Sequence, residues 1–400
     1  MAKRTVSQLD VAGKLVLVRV DFNIPIEQGV EAIASYDQRL RATLPTIRYL
    51  KDQGSRVILC SHLGRPGGKV VDSLRLAPVG DRLAKLLGSQ VKCLSETIGP
   101  RVEDTVGSMQ SCEVALLENL RFYAGEEKND PDFARSLADL ADCFVMDAFA
   151  VTHRAHASTV GLPGLLPSAM GLLVQREVES LGQALDIKVE AKPLAALMGG
   201  AKVSDKILVL ENLLTKLDHL IVGGGMSVTF LRAQGYETGA SSIEEDRLEF
   251  AKEVLSRATK LGVQVHLPVD VVVADRFADD ASGVETVLVN QVPPGSLIMD
   301  IGPITANLFS ESLGQCKTIV WNGPMGVFEM PNFSHGTRTV AGAIANLSGV
   351  TSVVGGGSTA EAVEELGLMD RMTHVSTGGG ASLEFLEGKD LPGIAALPDA

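Results

Sequence analysis

The chain has 400 residues, 45% of them hydrophobic and 21% charged, which suits a globular protein of two α/β domains rather than a disordered chain. Its net charge of -13 and aromatic content of 4% argue against nucleic acid or a membrane surface as partner, because such partners need clustered positive charge or stacking rings. The five cysteines lack a Cys-x-x-Cys spacing, and no apolar run approaches the ~20 residues of a membrane span, so we expect a cytoplasmic protein without structural disulfides or zinc.

Short apolar runs rich in β-branched residues alternate with longer amphipathic stretches along the chain. Continuous apolar runs separated by helices are typical of strands that are buried on both faces of a parallel sheet. The expected fold class is therefore α/β, with two doubly wound parallel-sheet (Rossmann-like) domains joined by a long helix and hinge. The predicted strands are residues 15–20, 57–60, 114–117, 144–146, 194–198, 219–222, 264–267, 297–301, 318–321, 352–354 and 373–375.

The stretch after the fourth predicted strand has the pattern of the linking helix. Apolar side chains recur there at helical spacing, at Met170, Leu173, Val174, Val178, Leu181 and Leu185. We expect a first domain at residues 1–170, the linking helix at 171–188, a second domain at 189–388 and a C-terminal segment at 389–400.

In the first half, charged and polar residues follow the predicted strands. Ligands of open α/β sheets bind beyond the carboxyl ends of the strands, so these residues are the candidate binding groups. They are Asp21 and Asn23; His62 and Arg65; Arg121; and Arg154, with Arg39 before the second strand. Because guanidinium groups bind phosphate and carboxylate oxygens bidentately, several arginines at one edge predict an anion pocket. A single arginine would more simply form a surface ion pair, and Asp21 and Asn23 could instead cap the turn before Pro25.

In the second half, glycine follows the predicted strands. Glycine lets backbone N–H groups approach a phosphate closely, and the N-terminus of a following helix favours negative charge. One such loop is often only a tight turn, but six of them predict a nucleotide site. The loops are residues 199–206, 223–226, Gly302-Pro303, 322–329, 355–359 and 376–380.

Several common motifs are absent. The sequence has no Gly-x4-Gly-Lys-Ser/Thr, no dinucleotide fingerprint in its first half, no Gly-x-Ser-x-Gly and no His-Glu-x-x-His. This disfavours a Walker-type nucleotide site, a dinucleotide enzyme, a serine hydrolase and a zinc protease.

Together, the ordered segments resemble the phosphoglycerate kinase family over essentially the whole chain. The segments are Val20-Asp21-Phe22-Asn23-Ile24-Pro25, Ser61-His62-Leu63-Gly64-Arg65-Pro66, Glu118-Asn119-Leu120-Arg121-Phe122, His153-Arg154-Ala155-His156, Gly199-Gly200-Ala201-Lys202-Val203-Ser204-Asp205-Lys206, Gly223-Gly224-Gly225-Met226, Trp321-Asn322-Gly323-Pro324-Met325-Gly326-Val327-Phe328-Glu329 and the two late glycine triplets.

The resemblance implies reversible transfer of a phosphoryl group between ATP and the carboxylate of 3-phosphoglycerate, giving ADP and 1,3-bisphosphoglycerate, with Mg²⁺ travelling with the nucleotide. It implies substrate binding by Asp21, Phe22, Asn23, Arg39, His62, Leu63, Gly64, Arg65, Arg121 and Arg154. It implies nucleotide binding by Lys202, Lys206, Gly224, Gly302, Asn322, Glu329, Gly356, Gly357, Ser358 and Thr359. No residue is assigned as a metal ligand, and the resemblance implies a monomer whose domains close about a hinge while residues 391–400 pack on the first domain.

The chemistry agrees with the absence of a catalytic base. The accepting carboxylate is already ionised at pH 7, so the reaction needs placement and positive charge rather than proton removal. We expect Arg39 and Lys202 to be catalytic, and His62 to donate a hydrogen bond to the substrate rather than to shuttle a proton.

Two positions depart from the family pattern. Ser358 stands where the family usually has Asp, so carboxylate help for Mg²⁺ is not expected from this position. Ala150 stands where the family usually has Gly, which puts a special backbone angle before Arg154 in question.

Two other classes stay open from the residues alone. One is another nucleotide-dependent enzyme, such as an acyl-phosphate ligase or a dehydrogenase. The other is a non-catalytic binding protein on the same scaffold, which Ser358 favours but Arg39, Lys202 and Lys206 oppose.

Overall fold

The computed structural model describes residues 2–25, 33–34, 36–185 and 191–400. The chain divides into two compact units, Met1–Val178 together with Asp390–Ala400, and Glu179–Lys389. None of the described helices is both long and apolar enough to cross a bilayer.

The first unit contains a six-stranded sheet in which every neighbouring pair is parallel, in the order β3-β4-β2-β1-β5-β6. Its strands are β1 Leu15–Arg19, β2 Arg56–Cys60, β3 Val91–Cys93, β4 Val114–Leu116, β5 Cys143–Met146 and β6 Ser168–Met170. Its helices are α1 Gln38–Asp52, α2 Ala77–Leu87, α3 Pro100–Gly107, α4 Ala124–Glu127 and α5 Pro131–Ala138, with the start of α6 Leu172–Leu185.

Both faces of this sheet are covered, which explains why its strands read as continuous apolar runs. On β1, Val16 and Val18 pack in a large apolar cluster with Leu40 of α1, while Leu17 on the opposite face is equally buried. A strand buried on both sides gains from apolar residues at every position, so alternation disappears from the sequence.

The second unit contains another six-stranded parallel sheet, in the order β15-β14-β13-β7-β8-β9. Its strands are β7 Leu194–Met198, β8 His219–Val222, β9 Gln264–His266, β13 Thr318–Asn322, β14 Thr351–Gly355 and β15 His374–Val375. Its helices are α7 Ile207–Leu214, α8 Gly224–Ala233, α9 Leu248–Leu261, α10 Pro303–Leu313, α11 His335–Asn346, α12 Gly357–Glu365 and α13 Gly380–Leu386. The predicted α/β fold class with two parallel sheets is confirmed.

A smaller antiparallel sheet in the second unit differs from the prediction. It consists of β10 Asp270–Ala274, β11 Glu285–Leu288 and β12 Leu297–Ile301, in the order β11-β10-β12. Residues 297–301 do form a strand, but the expectation that they join a parallel sheet is wrong. Their apolar run shows that the strand is buried, and it carries no information about the direction of the partner strand.

The last residues of the chain lie in the first unit. Short helix α14, Pro392–Ala395, follows the second unit, and the Gly393 N–H donates to Thr152 O at 2.8 Å. Lys3 forms an ion pair with Asp399 at 2.9 Å, and the Arg4 N–H donates to Pro398 O at 3.0 Å. The predicted linking helix 171–188 overlaps α6, and its residues 186–188 lie outside the described residues.

Candidate active site

In the first unit, the order of the strands places the candidate anion site. Strand β1 lies between β2 and β5, so the chain leaves β1 toward one side of the sheet and later returns to its other side. Such a switch point opens a crevice at the carboxyl ends of the strands. The loops that carry Asp21, His62 and Arg154 all follow strands at this edge.

The loops after β1 and β2 are held together by hydrogen bonds. The Phe22 N–H donates to Ser61 Oγ at 2.9 Å, and the Gly64 N–H donates to Asn23 Oδ1 at 2.8 Å. Arg39 of α1 forms an ion pair with Asp21, whose Oδ1 also accepts the Asn23 N–H at 3.1 Å. The capping role considered for Asp21 therefore coexists with a contact to a candidate catalytic arginine.

His62 lies at the centre of several positive charges. It is 4% exposed, and burial together with the charges of Arg19, Arg121, Arg39 and Arg154 holds the pKa of its imidazole well below the usual value. The ring is therefore neutral at pH 7 and can donate only one N–H at a time.

Two other predicted substrate residues, Arg121 and Arg154, lie close enough for their charges to act on His62. Arg121 is buried and donates to Gly64 O at 2.7 Å, while its Nε lies 3.2 Å from Glu127 Oε1. Burial lowers the pKa of Arg121, which stays protonated at pH 7. Arg154 donates through Nε to His153 at 3.3 Å. Arg65 is exposed in the loop after β2.

Two of the predicted substrate residues have side chains in the protein core. Phe22 and Leu63 are almost completely buried, and the Leu63 backbone is paired in both directions with the Asn119 amide. Any contact of these two residues with a ligand would therefore involve the backbone rather than the side chain.

Sequence reasoning missed a charged network beneath His62. Arg19, Glu126 and Ser158 are fully buried and connected, with Arg19 Nε donating to Ser158 Oγ at 2.8 Å and Ser158 Oγ donating to Glu126 Oε1 at 2.6 Å. One signal was available: Arg19 is a charged residue inside the otherwise apolar run 15–20. An ionised side chain in a strand buried on both faces requires a partner and so indicates a function or an internal ion pair.

In the second unit, the glycine loops after β7 and β13 meet at an equivalent switch point. Strand β7 lies between β13 and β8. The Gly199 N–H donates to Asn322 O at 2.9 Å, and the Gly200 N–H donates to Pro324 O at 2.9 Å. A Cβ on Gly199 would lie 2.2 Å from Pro324 O, so this close approach of two loops requires glycine.

Asn322 has an unpaired donor in this region. Its Oδ1 accepts a hydrogen bond from Lys206 Nζ, whereas its buried Nδ2 has no partner among the described atoms. The amide of Asn322 lies beside the next glycine loop, with Nδ2 3.4 Å from where a Cβ of Gly356 would be. Burial lowers the pKa of Lys206 to about 8, so it carries its positive charge at pH 7. A buried donor and a desolvated cation are what an anionic ligand would satisfy.

The other nucleotide candidates differ in their surroundings. Thr359 is buried and accepts the Gly323 N–H at 2.7 Å, whereas Ser358 and Gly357 are exposed in the first turn of α12. Gly224 begins α8, and its N–H donates to Met325 O at 2.9 Å. Glu329 is exposed at the end of the loop after β13.

Gly302 has a packing role that its predicted function did not include. A Cβ there would lie 2.2 Å from the carboxyl carbon of Asp270, which caps α10 by accepting the Thr305 N–H at 2.7 Å. The first backbone donors of α10 are therefore partly used by Asp270.

Lys202 is exposed, and the backbone after it is anchored by Glu244. The Val203 and Ser204 N–H groups donate to Glu244 Oε2 at 2.5 Å and 3.2 Å. Glu244 was not among the predicted residues, since it lies outside every strand-end loop and only the tertiary structure brings it here.

Comparison with known proteins identifies the family to which the chain belongs. A family model described as phosphoglycerate kinase matches residues 6–389. The chain belongs to the phosphoglycerate kinase family. It is 54% identical over 399 residues to the phosphoglycerate kinase of Moorella thermoacetica and 51% identical over 403 residues to that of Dictyoglomus turgidum, in both cases over 100% of each chain.

Solved structures of the family share the fold. The phosphoglycerate kinase from Coxiella burnetii matches with a TM-score of 0.87 at 42% identity, and that from Pyrococcus horikoshii with 0.83 at 33%. Each match covers 98% of both chains. The resemblance stated from the sequence is confirmed, and the chain is a glycolytic kinase that transfers a phosphoryl group between ATP and 3-phosphoglycerate. This removes the ligase and dehydrogenase alternatives.

The family's usual glycine at position 150 is not required by the backbone of this chain. Ala150 lies in the 3-10 turn Phe149–Val151, and the described non-glycine residues with positive φ are Cys112 and Asn129. The Arg154 N–H donates to Val151 O at 3.0 Å, which ties Arg154 to this turn.

Proposed function

We propose that the first unit holds 3-phosphoglycerate in its arginine and histidine cluster and that the second unit holds the nucleotide in its glycine loops. The observation that carries this proposal is the set of arginines around His62. The charges of Arg19, Arg121, Arg39 and Arg154 all help to lower the pKa of this one buried imidazole. Such a concentration of positive charge in a protein of net charge -13 calls for an anionic ligand.

The substrate contacts follow from the chemistry of each side chain. Arg65, Arg121 and Arg154 bind the phosphate of 3-phosphoglycerate, because guanidinium groups match phosphate oxygens. Asp21 and Asn23 bind its hydroxyl, and His62 donates a hydrogen bond. Phe22, Leu63 and Gly64 contribute through the backbone of the two loops.

The nucleotide contacts are proposed on the same basis. Lys202 and Lys206 contact phosphates, together with Asn322 and the N-terminus of α12 at Gly356, Gly357, Ser358 and Thr359. Gly224 and Gly302 line the nucleotide site through their backbone at the starts of α8 and α10, since a side chain there would clash with Gly200 and Asp270. Glu329 binds the ribose hydroxyls.

The transfer step requires no proton acceptor. The carboxylate of 3-phosphoglycerate attacks the γ-phosphorus of ATP in line, the bond to the bridging oxygen breaks, and ADP leaves with that oxygen. Arg39 and Lys202 stabilise the charge on the three oxygens of the transferring group.

The donor set suits Mg²⁺ that is carried by the nucleotide. No group of three or more His, Cys, Asp or Glu side chains in the described part of the chain could hold a metal. Mg²⁺ commonly binds substrate phosphates and water with few protein ligands. In this chain, Ser358 at the N-terminus of α12 would offer it at most a hydroxyl.

Holding the two substrates on different units has a consequence for dynamics. Donor and acceptor must come within ~3–3.5 Å, and water must be excluded if ATP is not to be hydrolysed. We therefore propose closure of domains 1–170 and 189–388 about the linking helix, with segment 389–400 held on the first domain. We also propose a monomeric, cytoplasmic enzyme, in keeping with a glycolytic reaction.

A coupled assay with ATP, Mg²⁺ and 3-phosphoglycerate tests this proposal. Arg39→Ala should lower kcat by ~10²–10³, because it removes one charge-stabilising donor. Arg101→Ala, which removes an exposed arginine of α3, is the matched control and should turn over like wild type. Absence of turnover in wild type would favour the non-catalytic binding protein, and a loss of only a few-fold in Arg39→Ala would remove that residue from the mechanism.

A further inference from the structure

We propose that Arg19 is a positioning residue that holds His62 in a single neutral tautomer with the proton on Nε2. The ring then presents one fixed N–H donor to the anionic substrate. The presentation of this N–H to the substrate rests on the proposed function, in which His62 contacts the substrate. The tautomer itself follows from contacts within the protein.

Arg19 is placed for this role by the register of the sheet. It is the last residue of β1 and pairs with Cys60 of β2, two residues before His62. The side chain is 1% exposed, and Nη2 lies 3.1 Å from His62 Nδ1. Among the described residues, Arg19 is the one that hydrogen-bonds to this ring, whereas the other arginines act on it through their charge.

The direction of this hydrogen bond decides the tautomer. A guanidinium group has only donors and stays protonated in proteins, so His62 Nδ1 must be the acceptor. A neutral imidazole that accepts at Nδ1 carries its proton on Nε2. The lowered pKa of His62 agrees, because a doubly protonated ring would turn an N–H toward the guanidinium. The opposite tautomer would turn the lone pair of Nε2 toward an anionic ligand and repel it.

The network behind Arg19 fixes its orientation. Arg19 donates to Ser158 Oγ, and both the hydroxyl and the N–H of Ser158 donate to the Glu126 carboxylate, at 2.6 Å and 3.1 Å. Glu126 is fully buried, and burial raises its pKa while the charge of Arg19 opposes that rise. Arg19 also donates to Val20 O. The buried guanidinium of Arg19 is thus hydrogen-bonded to Ser158, Val20 and His62, which prevents it from turning away from the His62 ring.

Without Arg19, the carboxylate of Asp21 would determine the tautomer of His62. Asp21 Oδ1 lies 3.8 Å from His62 Nδ1, close enough to accept a proton from it after a small movement. Loss of the guanidinium would therefore favour the tautomer with the proton on Nδ1, since a carboxylate is then the strongest partner nearby.

Nitrogen-15 NMR of the histidine rings tests the tautomer without any ligand. The His62 signals are assigned from their loss in His62→Gln. We expect Nε2–H in wild type, a substantial population of Nδ1–H in Arg19→Met, and the wild-type pattern in Arg19→Lys, which keeps a charged donor. Arg101→Met, which removes an exposed arginine, should match wild type. An Nδ1–H ring in wild type, or an unchanged tautomer in a folded Arg19→Met, would overturn the proposal.

Kinetics on the same variants separate this inference from the proposed function. Arg19→Met should raise KM for 3-phosphoglycerate by roughly tenfold, the loss expected for one hydrogen bond to a charged group, with a recovery in Arg19→Lys. If the tautomer changes and KM does not, the substrate contact of His62 is wrong while its positioning by Arg19 is supported. Should Arg19→Met fail to fold, Ser158→Ala is the milder variant. This variant removes the hydrogen bond of Arg19 Nε and should therefore increase the population of the Nδ1–H tautomer of His62. An unchanged tautomer would show that the hydrogen bonds to Ser158 and Glu126 do not hold Arg19 in place.

Discussion

At the scale of single residues, Ser358 lies in the first of the two late glycine loops, which we propose to bind the nucleotide phosphates. It is exposed in the first turn of α12, next to the buried Thr359 that binds the loop after β13. A serine hydroxyl is a weaker ligand for Mg²⁺ than a carboxylate, so we propose that phosphate oxygens and water supply most of the ligands of a bound Mg²⁺ here.

Ser358→Asp should therefore bind MgADP more tightly, by roughly three- to tenfold, because an added carboxylate is a better ligand for a hard cation. Isothermal calorimetry with MgADP, and with ADP in the presence of EDTA, measures the metal-dependent part. Ser358→Asn is the neutral control of similar size. Equal affinity of Ser358→Asp and wild type for MgADP would rule out a role for position 358 in metal binding.

At the scale of elements, Asp147 connects the parallel sheet to the linking helix. It follows β5 directly, is completely buried, and its Oδ1 accepts the Leu173 and Val174 N–H groups in the first turn of α6 at 2.9 Å and 3.4 Å. Burial raises the pKa of this carboxyl from 3.8 to about 7, against the lowering effect of hydrogen bonds from the Thr46 side chain and from the Leu173 and Val174 N–H groups. The helix that joins the two proposed domains is thus capped by a group that titrates near neutrality.

This cap should make stability depend on pH. Below about pH 4 the carboxyl is protonated in both the folded and the unfolded state, so its contribution is fully present. Between about pH 4 and 7 the folded state keeps the proton that the unfolded state loses, so the free energy of unfolding falls as pH rises.

Asp147→Asn, which cannot titrate, should lose this part of the pH dependence. Relative to the variant, wild type should become less stable between about pH 4 and 7, which urea denaturation at several pH values measures. Asp130→Asn, at the partly exposed cap of α5, controls for the removal of a cap carboxylate. A constant difference between wild type and Asp147→Asn over this pH range would contradict the assignment.

At the scale of the whole molecule, each compact unit carries its own candidate half-site at the carboxyl edge of a parallel sheet. Direct transfer requires both substrates at one point, so the proposed closure should occur when both are bound. Small-angle X-ray scattering should show a smaller radius of gyration with 3-phosphoglycerate and a Mg²⁺-bound non-hydrolysable ATP analogue together than with either alone. An unchanged radius under saturating ligands would contradict closure.

The sequence predicted the strands of the two parallel sheets well, because a strand buried on both faces must be apolar throughout, as at residues 15–20 and 194–198. It missed β3 and β6, which have three residues each, and β11, which is largely exposed. It also missed β10, although Asp270–Ala274 contains three consecutive valines and is mostly buried. It was also unable to predict that residues 297–301 pair antiparallel, since the apolar pattern of a strand is the same for either direction of its neighbour.

The arginine loops and glycine loops could be found from the sequence alone, because ligand-binding residues follow the strands in this class of fold. The order of the segments along the chain is also specific to the family. What surrounds those loops was decided only by the tertiary structure. Arg19 meets His62 because β1 and β2 are neighbours, Glu126 arrives from a distant helix to compensate Arg19, and Glu244 reaches the loop of Lys202. Local sequence determines which segments are buried or turn, whereas the direction of a buried charge depends on partners that are distant in the chain and meet only on folding.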